Sequence, residues 1–372
     1  MKTVCILCGG PSSEHDIALR SALNIVKNLN KEKYQEKIVY IDKEGKFSET
    51  FTDFNPEDEF SLVKNISKSK QESIADFLME TSKENLENTI ILPIVHGTYG
   101  EDGTIQGFLD AVGLTYIGNG LLSSAICMDK VTSNDIFEKS KLKQAKYKYC
   151  YKEDFDEDFI DECVDYIGLP LIVKPSANGS SVGVSRVETK EDFKKAGLEA
   201  LKYDRKLLVE ELILGQEIEL AVLGDSDNID VSDPAAYITD HIFLDWDAKY
   251  FSKTTREELP YKMDEEDLKK AKDFAKACYK AAGCEGFARV DIFYGNDKNF
   301  YINEINTFPG FTPSSFFARM AMKLYDVDFS SILDILIEDG FRRSRNDWKN
   351  TRWNRKYDWR RNLLRKFFWH KN

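Results

Sequence analysis

Along the chain, short apolar runs rich in β-branched residues alternate with stretches where apolar residues return every three or four positions. The first run, TVCIL, ends at Gly9-Gly10-Pro11, which reads as a strand entering a turn. Ser12 or Ser13 then stands where a helix cap belongs, ahead of Ala18, Ala22, Ile25 and Leu29 at helical spacing. EKIVYID and TIILPIV read as further strands, and strand, helix, strand at these intervals predicts a parallel α/β layer. Residues 51–88 are polar and weakly patterned, which suits surface helix and loop.

From about Lys130 the pattern changes. A polar helical stretch leads to LPLIVKPSANGSSVGVSRV, read as strand, small-residue loop and strand, and KLLVEEL and EIELAVLG add strands around Gly215. The clearest helix starts at a capping Asp264, carries Leu268, Ala271, Ala275, Cys278 and Ala282 on one face, and ends at Gly283. GFARVDIFYGNDKNFYINEIN is then a hairpin turning at Gly295–Lys298. With that turn, Tyr294 faces Asn299, Arg289 faces Glu304 and Asp291 faces Ile302, and Ile302, Glu304 and Asn306 share one face. The boundaries expected are 1–128, 129–210, 211–341 and a tail 342–372.

Composition places the chain among ordinary globular proteins and adds one asymmetry. The net charge is −12, yet residues 342–372 hold eight Arg and four Lys against two Asp, a net +10, which leaves −22 on the remainder. An acidic body argues against general nucleic-acid binding. Seven scattered cysteines form no disulfide framework and suit a reducing cytosol. Cys5 and Cys8 resemble a C-x-x-C site, but on a strand they point to opposite faces and read as packing residues.

Candidate chemistry gathers at three places. On the hairpin, Asp291, Glu304 and Asn306 are hard oxygen donors suited to Mg²⁺ bridging to phosphates; a plain surface Arg–Glu pair is the competing reading, and the apolar flanks count against it. VKPSANGSSVGVS puts Lys174 at a strand end before a loop whose N–H groups can approach phosphate, a weak signal alone because no Walker pattern is present. VHGTYGEDGTIQG follows a strand, so His96 and Gly97 fall where open α/β sheets bind ligands, while Glu101 and Asp102 equally suit capping the helix near Thr104.

Together with GGPSSEHDIALRSA, CMDK, VEELILGQEIE, DWDAKY and NEINTFPGF, these motifs resemble the D-alanine–D-alanine ligases of the ATP-grasp superfamily over residues 3–341. The resemblance implies an N-terminal parallel α/β domain, a two-part ATP-grasp fold and a homodimer in the cytoplasm. The reaction implied joins two D-alanines for peptidoglycan, with ATP and two Mg²⁺ (or Mn²⁺) ions, through an acylphosphate. By position Lys130 and Lys174 contact the ATP phosphates, Glu210 and the backbone near Leu212 the adenine, and Glu217 the ribose; Asp291, Glu304 and Asn306 match the metal ligands. Arg289 and the Gly310 N–H stabilise the oxyanion, Glu14 holds the first substrate's ammonium with His96 beside its carboxylate, and Ser315 takes the second carboxylate. Lys249 and Tyr250 lie on a closing loop, with Ser180 bonded towards Tyr250 and Glu14.

Tyr250 favours an amine over D-lactate as second nucleophile. Pro11 and Ala18 replace the Arg and Ser usual in the first motif, and Phe316 stands where Leu or Met is usual beside the second substrate, so D-serine stays open. A catalytically silent nucleotide-binding interaction protein is the rival from another class. The basic tail, with Trp353, Tyr357, Leu364 and Phe368 leaning to one side of a helix, suits contact with the chain's own acidic surface, a protein partner or a membrane surface.

Overall fold

In the computed structural model β1 (Lys2–Gly9) is buried almost throughout because β2 (Tyr34–Ile41) and β3 (Thr89–Ile94) pair with it on either side, all three parallel. The structure describes residues 1–55, 57–179, 182–225, 227–239 and 255–348. α1 (His15–Asn28) and the last helix, α10 (Phe329–Trp348), cover the face carrying Val4, Ile6 and Cys8. α2 (Lys70–Thr81) and α3 (Thr104–Ala111) cover the face with Cys5 and Leu7. The two cysteines thus point apart as expected, and burial pushes both thiols up to about 12. Neither Ser12 nor Ser13 caps α1: Glu14 occupies the cap position without a side-chain cap bond. Ser12 Oγ instead donates to the His96 carbonyl (2.6 Å) and accepts from Glu14 N–H, tying two loops together.

Two antiparallel sheets follow. β4 (Tyr147–Tyr151), β5 (Leu171–Pro175), β6 (Ser185–Val187) and β7 (Lys206–Glu211) run in the order β4-β7-β5-β6, backed by α6 (Glu157–Ile167) and α7 (Lys190–Ala200). β8 (Gly215–Gly224), β9 (Ile229–Val231), β12 (Gly286–Gly295) and β13 (Phe300–Asn306) run β13-β12-β8-β9. Behind them lies α8 (Glu265–Ala281), capped by Asp264. α4 (Leu121–Met128) and α5 (Lys130–Lys139) send Cys127 and Phe137 into this second core. β10 (Ala236–Ile238) and β11 (Arg256–Glu258) form a small pair beside α9 (Phe316–Tyr325). Among the described residues no helix is long and apolar enough to cross a membrane.

The β12–β13 register corrects the expectation. The loop has three residues, not four: Gly295 N–H donates to the Asn299 carbonyl, and Lys298 takes a left-handed φ of 63°. Tyr294 therefore faces Phe300, and a bulge between Asp291 and Ile292 then shifts the pairing so that Asp291 faces Glu304 and Arg289 faces Asn306. Asn303 is the extra residue. Its insertion parts Ile302, which packs in the core, from Glu304 and Asn306, which line the site.

Basic residues expected to open a separate tail at 342 belong to α10: Arg342 pairs with Asp225 (2.6 Å) and Asp339 (2.7 Å), and Arg343 with Asp339. Residues 349–372 lie outside the described part. Asn119 fastens the N-terminal layer to the hairpin. Its amide donates to the carbonyls of Phe287 (2.6 Å) and Thr307 (3.0 Å), both buried, and its oxygen accepts from the N–H of exposed Glu285 (2.9 Å). Asn119→Ala orphans the two buried carbonyls, and at roughly 1–3 kcal/mol for each buried polar group left unpaired the loss of stability should reach about 3 kcal/mol. Urea midpoints test this; a change below about 1 kcal/mol contradicts the fastener.

Candidate active site

Two cavities meet on the site face of β8, β12 and β13. The larger, about 590 Å³, lies between α1, the loop after β3 and the segment from Asn306 to Phe317. The smaller, about 230 Å³, lies between the two antiparallel sheets, with Lys174, Glu210, Leu212 and Glu217 in its wall. Lys130, Gly179, Glu219, Arg289 and Glu304 border both.

The shared border is set by strand register. Asp291 pairs with Glu219 across one side of β12 and with Glu304 across the other, so three carboxylates form a row across neighbouring strands. Like charges directly opposite destabilise a sheet, and cations answer them. Arg289 Nε and Nη2 donate to both oxygens of Asp291 (2.8 and 2.7 Å), and Nε lies 3.0 Å from Glu219. Asn306 donates to Asp291 as well (2.9 Å). Burial, then Glu219 and Glu304, push the Asp291 carboxyl upward against the pull of Arg289. Burial opposes ionisation of Glu304 too, but Lys130, Lys174 and Arg289 outweigh it and hold that group at about 2.

Lys130 heads α5 and reaches Glu304 (3.1 Å) and the Asn178 carbonyl (2.9 Å). Lys174, at the end of β5, pairs with Glu210 (2.6 Å), whose other oxygen accepts from Asn134 (3.1 Å). Both ammonium groups sit almost fully buried at the cavity border. The donor set Asp291, Glu304 and Asn306, beside Glu219, is all hard oxygen with surplus negative charge, which fits Mg²⁺ or Mn²⁺. Among the described residues no three acidic, His or Cys side chains are already gathered round one point, since Arg289 engages both Asp291 oxygens.

On the opposite wall His96 is a buried hub. Its Nδ1 faces the Phe308 carbonyl (3.1 Å) and Glu101 (3.4 Å), so in the neutral ring Nδ1 carries the proton, and Nε2 accepts from Ser21 Oγ (3.0 Å). Ser21 in turn accepts from Phe311 N–H (3.3 Å), and Asn24 donates to the Phe311 carbonyl (2.7 Å). Helix α1 thereby fixes the loop that carries Gly310. A Cβ on Gly310 would lie 2.8 Å from Ser315 Oγ, so glycine lets this loop close on the hydroxyl at the N-terminus of α9. Gly97, at φ 73°, passes equally close beneath Glu14. Neither Glu101 nor Asp102 takes the cap position of α3, which falls to Gly103; Asp102, one residue earlier, accepts from Thr104 N–H (2.9 Å) and Tyr99 N–H (2.8 Å).

Of the residues proposed from sequence, Glu14, His96, Lys130, Arg289, Glu304, Asn306, Gly310, Ser315 and Phe316 line the larger cavity. Lys174, Glu210, Leu212, Glu217 and Asp291 line the smaller. Ser180, Lys249 and Tyr250 lie outside the described residues. Sequence reading missed Glu219, Ser21, Asn134 and Asn303, which donates to Glu217 (2.7 Å). Glu217 and Glu219 at alternate positions of an otherwise apolar strand were the available signal for the first; Asn303 carried none, because it faces the site only through the bulge.

Two antiparallel sheets gripping a cavity bordered by buried lysines, opposite a hairpin of carboxylates, define an ATP-grasp protein. The model of the D-ala D-ala ligase N-terminus matches residues 3–119, and that of the C-terminus residues 136–338. A D-alanine–D-alanine ligase from Finegoldia magna is 42% identical over 340 residues, covering 90% of this chain and 95% of that one. Among solved structures, the D-alanine–D-alanine ligase from Coxiella burnetii superposes with a TM-score of 0.78 at 29% identity, covering 94% and 96% of the two chains. VanG D-Ala:D-Ser ligase from Enterococcus faecalis does so with 0.75 at 29%, covering 91% and 99%. The chain belongs to the D-alanine–D-alanine ligase family.

Burial disfavours charge on His96, but Glu101, Glu14 and the Phe308 carbonyl outweigh it and raise its pKa above the ordinary value. Charged His96 therefore contributes stability that is complete below about 6.5, the unfolded value, and lost as pH rises through the folded one. Glu101→Gln removes the strongest raising partner, so His96 should lose its proton at lower pH and that stability window should narrow. Ring NMR titration of the four histidines measures it; an unmoved His96 curve contradicts the assignment.

Proposed function

We propose that this protein joins two D-alanine molecules to D-alanyl-D-alanine, with cleavage of ATP to ADP and phosphate, in peptidoglycan precursor synthesis. The observation that carries this reading is the border shared by the two cavities. A nucleotide in the smaller cavity and amino acids in the larger would meet at Lys130, Arg289 and Glu304, where phosphoryl transfer needs charge and alignment.

In the first half-reaction a carboxylate oxygen of one D-alanine bonds to the γ-phosphorus as the bond to the ADP oxygen breaks. The amine of the second D-alanine then attacks the acylphosphate carbonyl, loses a proton, and phosphate leaves with the electron pair of the broken C–O bond. Lys130 and Lys174 hold phosphate oxygens, Glu210 and the Leu212 backbone the adenine, and Glu217 the ribose. Glu14 orients the first ammonium, with His96 beside its carboxylate; Ser315 with the N-terminus of α9 takes the second carboxylate. Arg289 and the Gly310 N–H face the charge that develops on the carbonyl oxygen. Asp291, Glu304 and Asn306 would hold two Mg²⁺ or Mn²⁺ ions, which when bound neutralise phosphate charge. Ser180, Lys249 and Tyr250 complete the reading from the resemblance alone, as does a cytoplasmic homodimer.

The structural likeness to a D-Ala:D-Ser ligase keeps D-serine as a second reading for the attacking amino acid. The rival of a silent nucleotide-binding protein is disfavoured because the lysines, Arg289 and the carboxylates are all present at the cavity border. Phosphate release from ATP should occur with D-alanine and not with L-alanine or D-lactate. Arg289→Lys should lower kcat roughly 10²–10³-fold while circular dichroism stays unchanged. No release with D-alanine or D-serine sinks the ligase reading.

A further inference from the structure

Lys130 is tied at both ends to the loop that follows β5. Its backbone N–H donates to the Ser176 carbonyl (3.0 Å), and its ammonium donates to the Asn178 carbonyl (2.9 Å). The first N–H groups of a helix have no partner inside it, and at α5 two side chains divide them. Val131 N–H donates to Ser176 Oγ (3.3 Å), and Thr132 N–H to Asp129 Oδ1 (3.1 Å), the capping oxygen. Ser176 Oγ donates in turn to that same oxygen (2.8 Å), while Lys206 on β7 bonds Oδ2 with its ammonium. The Lys206 carbonyl also accepts from Ser176 N–H (3.1 Å), and Asp204 accepts from Ala177 N–H (2.7 Å). Ser176 has no exposed surface, so solvent does not compete for its bonds. Further along, α5 buries Phe137 in the core behind β8, β12 and β13. The helix is a strut between the two sheets, and Lys130 stands at the joint.

We propose that Asp129, Ser176 and Lys206 are positioning residues that lock Lys130 to the loop 176–179, so that both meet the nucleotide's phosphates as one unit. This rests on the nucleotide placement in the ligase reading. Asn178 and Gly179 line both cavities beside Lys130, so the lock ends at their shared border. Asp129, Ser176 and Lys206 line neither cavity, and they act through Lys130. Replacing the Asp129 carboxylate by an amide leaves the cap, since Asn caps a helix as well as Asp does. It removes the charge that holds Lys206, and with it the strut's grip on β7. Lys130 then tilts with α5 while the loop stays with β5. In a transfer that depends on alignment, a misplacement of about 1 Å costs on the order of 10²-fold.

The test uses the full chain, with ADP affinity measured by calorimetry and kcat/KM measured separately for ATP and for D-alanine. Asp129→Asn and Lys206→Met should each weaken ADP binding and lower kcat/KM for ATP roughly 10–10²-fold, with KM for D-alanine little changed. The double variant should be no worse than either single one, because both break the same contact, and Lys206→Arg should keep most of the affinity. Asp156 caps α6 in the same sheet layer by the same kind of bond, from Phe159 N–H (2.9 Å). Asp156→Ala should therefore lower the urea midpoint and leave ADP affinity as it is. Unchanged ADP affinity in both Asp129→Asn and Lys206→Met overturns the lock, as does an equal loss in Asp156→Ala or a rise in KM for D-alanine that matches the one for ATP. A chain that binds ADP but forms no dipeptide fails the ligase reading, and the ADP affinities of the variants still decide the lock; a chain that binds no ADP fails both.

Discussion

Three carboxylates standing side by side across β8, β12 and β13 are the constraint to which the rest of the site answers. Glu219, Asp291 and Glu304 are in register, and a sheet does not tolerate such a row unless cations intervene. Arg289 comes from the same strand as Asp291, two residues away, and bonds it with both nitrogens of its fork. Lys130 comes from a helix built into the same core, and Lys174 from the other sheet. The charge balance of one strand row therefore dictates where a helix start and a second sheet must sit. It also explains why the border of the cavities is polar in a region whose reverse side is packed with aliphatic and aromatic groups.

The N-terminal layer contributes by holding rather than by charge alone. Ser21 and Asn24 take the two backbone groups of Phe311, His96 takes the carbonyl of Phe308, and Asn119 takes that of Thr307. Four side chains from the parallel layer thus fix a loop that belongs in sequence to the last third of the chain. In the reaction proposed above, substrate positioning depends on this grip, because the Gly310 N–H and Ser315 hydroxyl keep their places only while that loop does.

Much of this was legible beforehand. Parallel strands, the Asp264-capped helix and the hairpin follow from periodicity and turn residues, and the family motifs brought most of the site residues to notice. What escaped has a common cause. The bulge at Asn303 follows from the length of the turn and the pairing of β12 with β13, and no local pattern at Asn303 announces it. Ser12 looked like a helix cap because its residue type suits one; it spends its hydroxyl on the His96 carbonyl instead, a partner 84 positions away. Ser21 and Asn134 are small polar residues inside helices, and only tertiary contact distinguishes them from solvated ones.

The inserted residue in β13 also bears on how such chains diverge. Hairpins commonly vary in length, since a lost or gained residue near a turn is absorbed by solvent. Here the residue added between Ile302 and Glu304 itself lines the smaller cavity and donates to Glu217. Losing it would restore a regular ladder with Asp291 still opposite Glu304, and would take from the cavity wall the amide that holds Glu217. When relatives are aligned, a gap at that position would mark a changed hold on Glu217 while the row of carboxylates stayed whole.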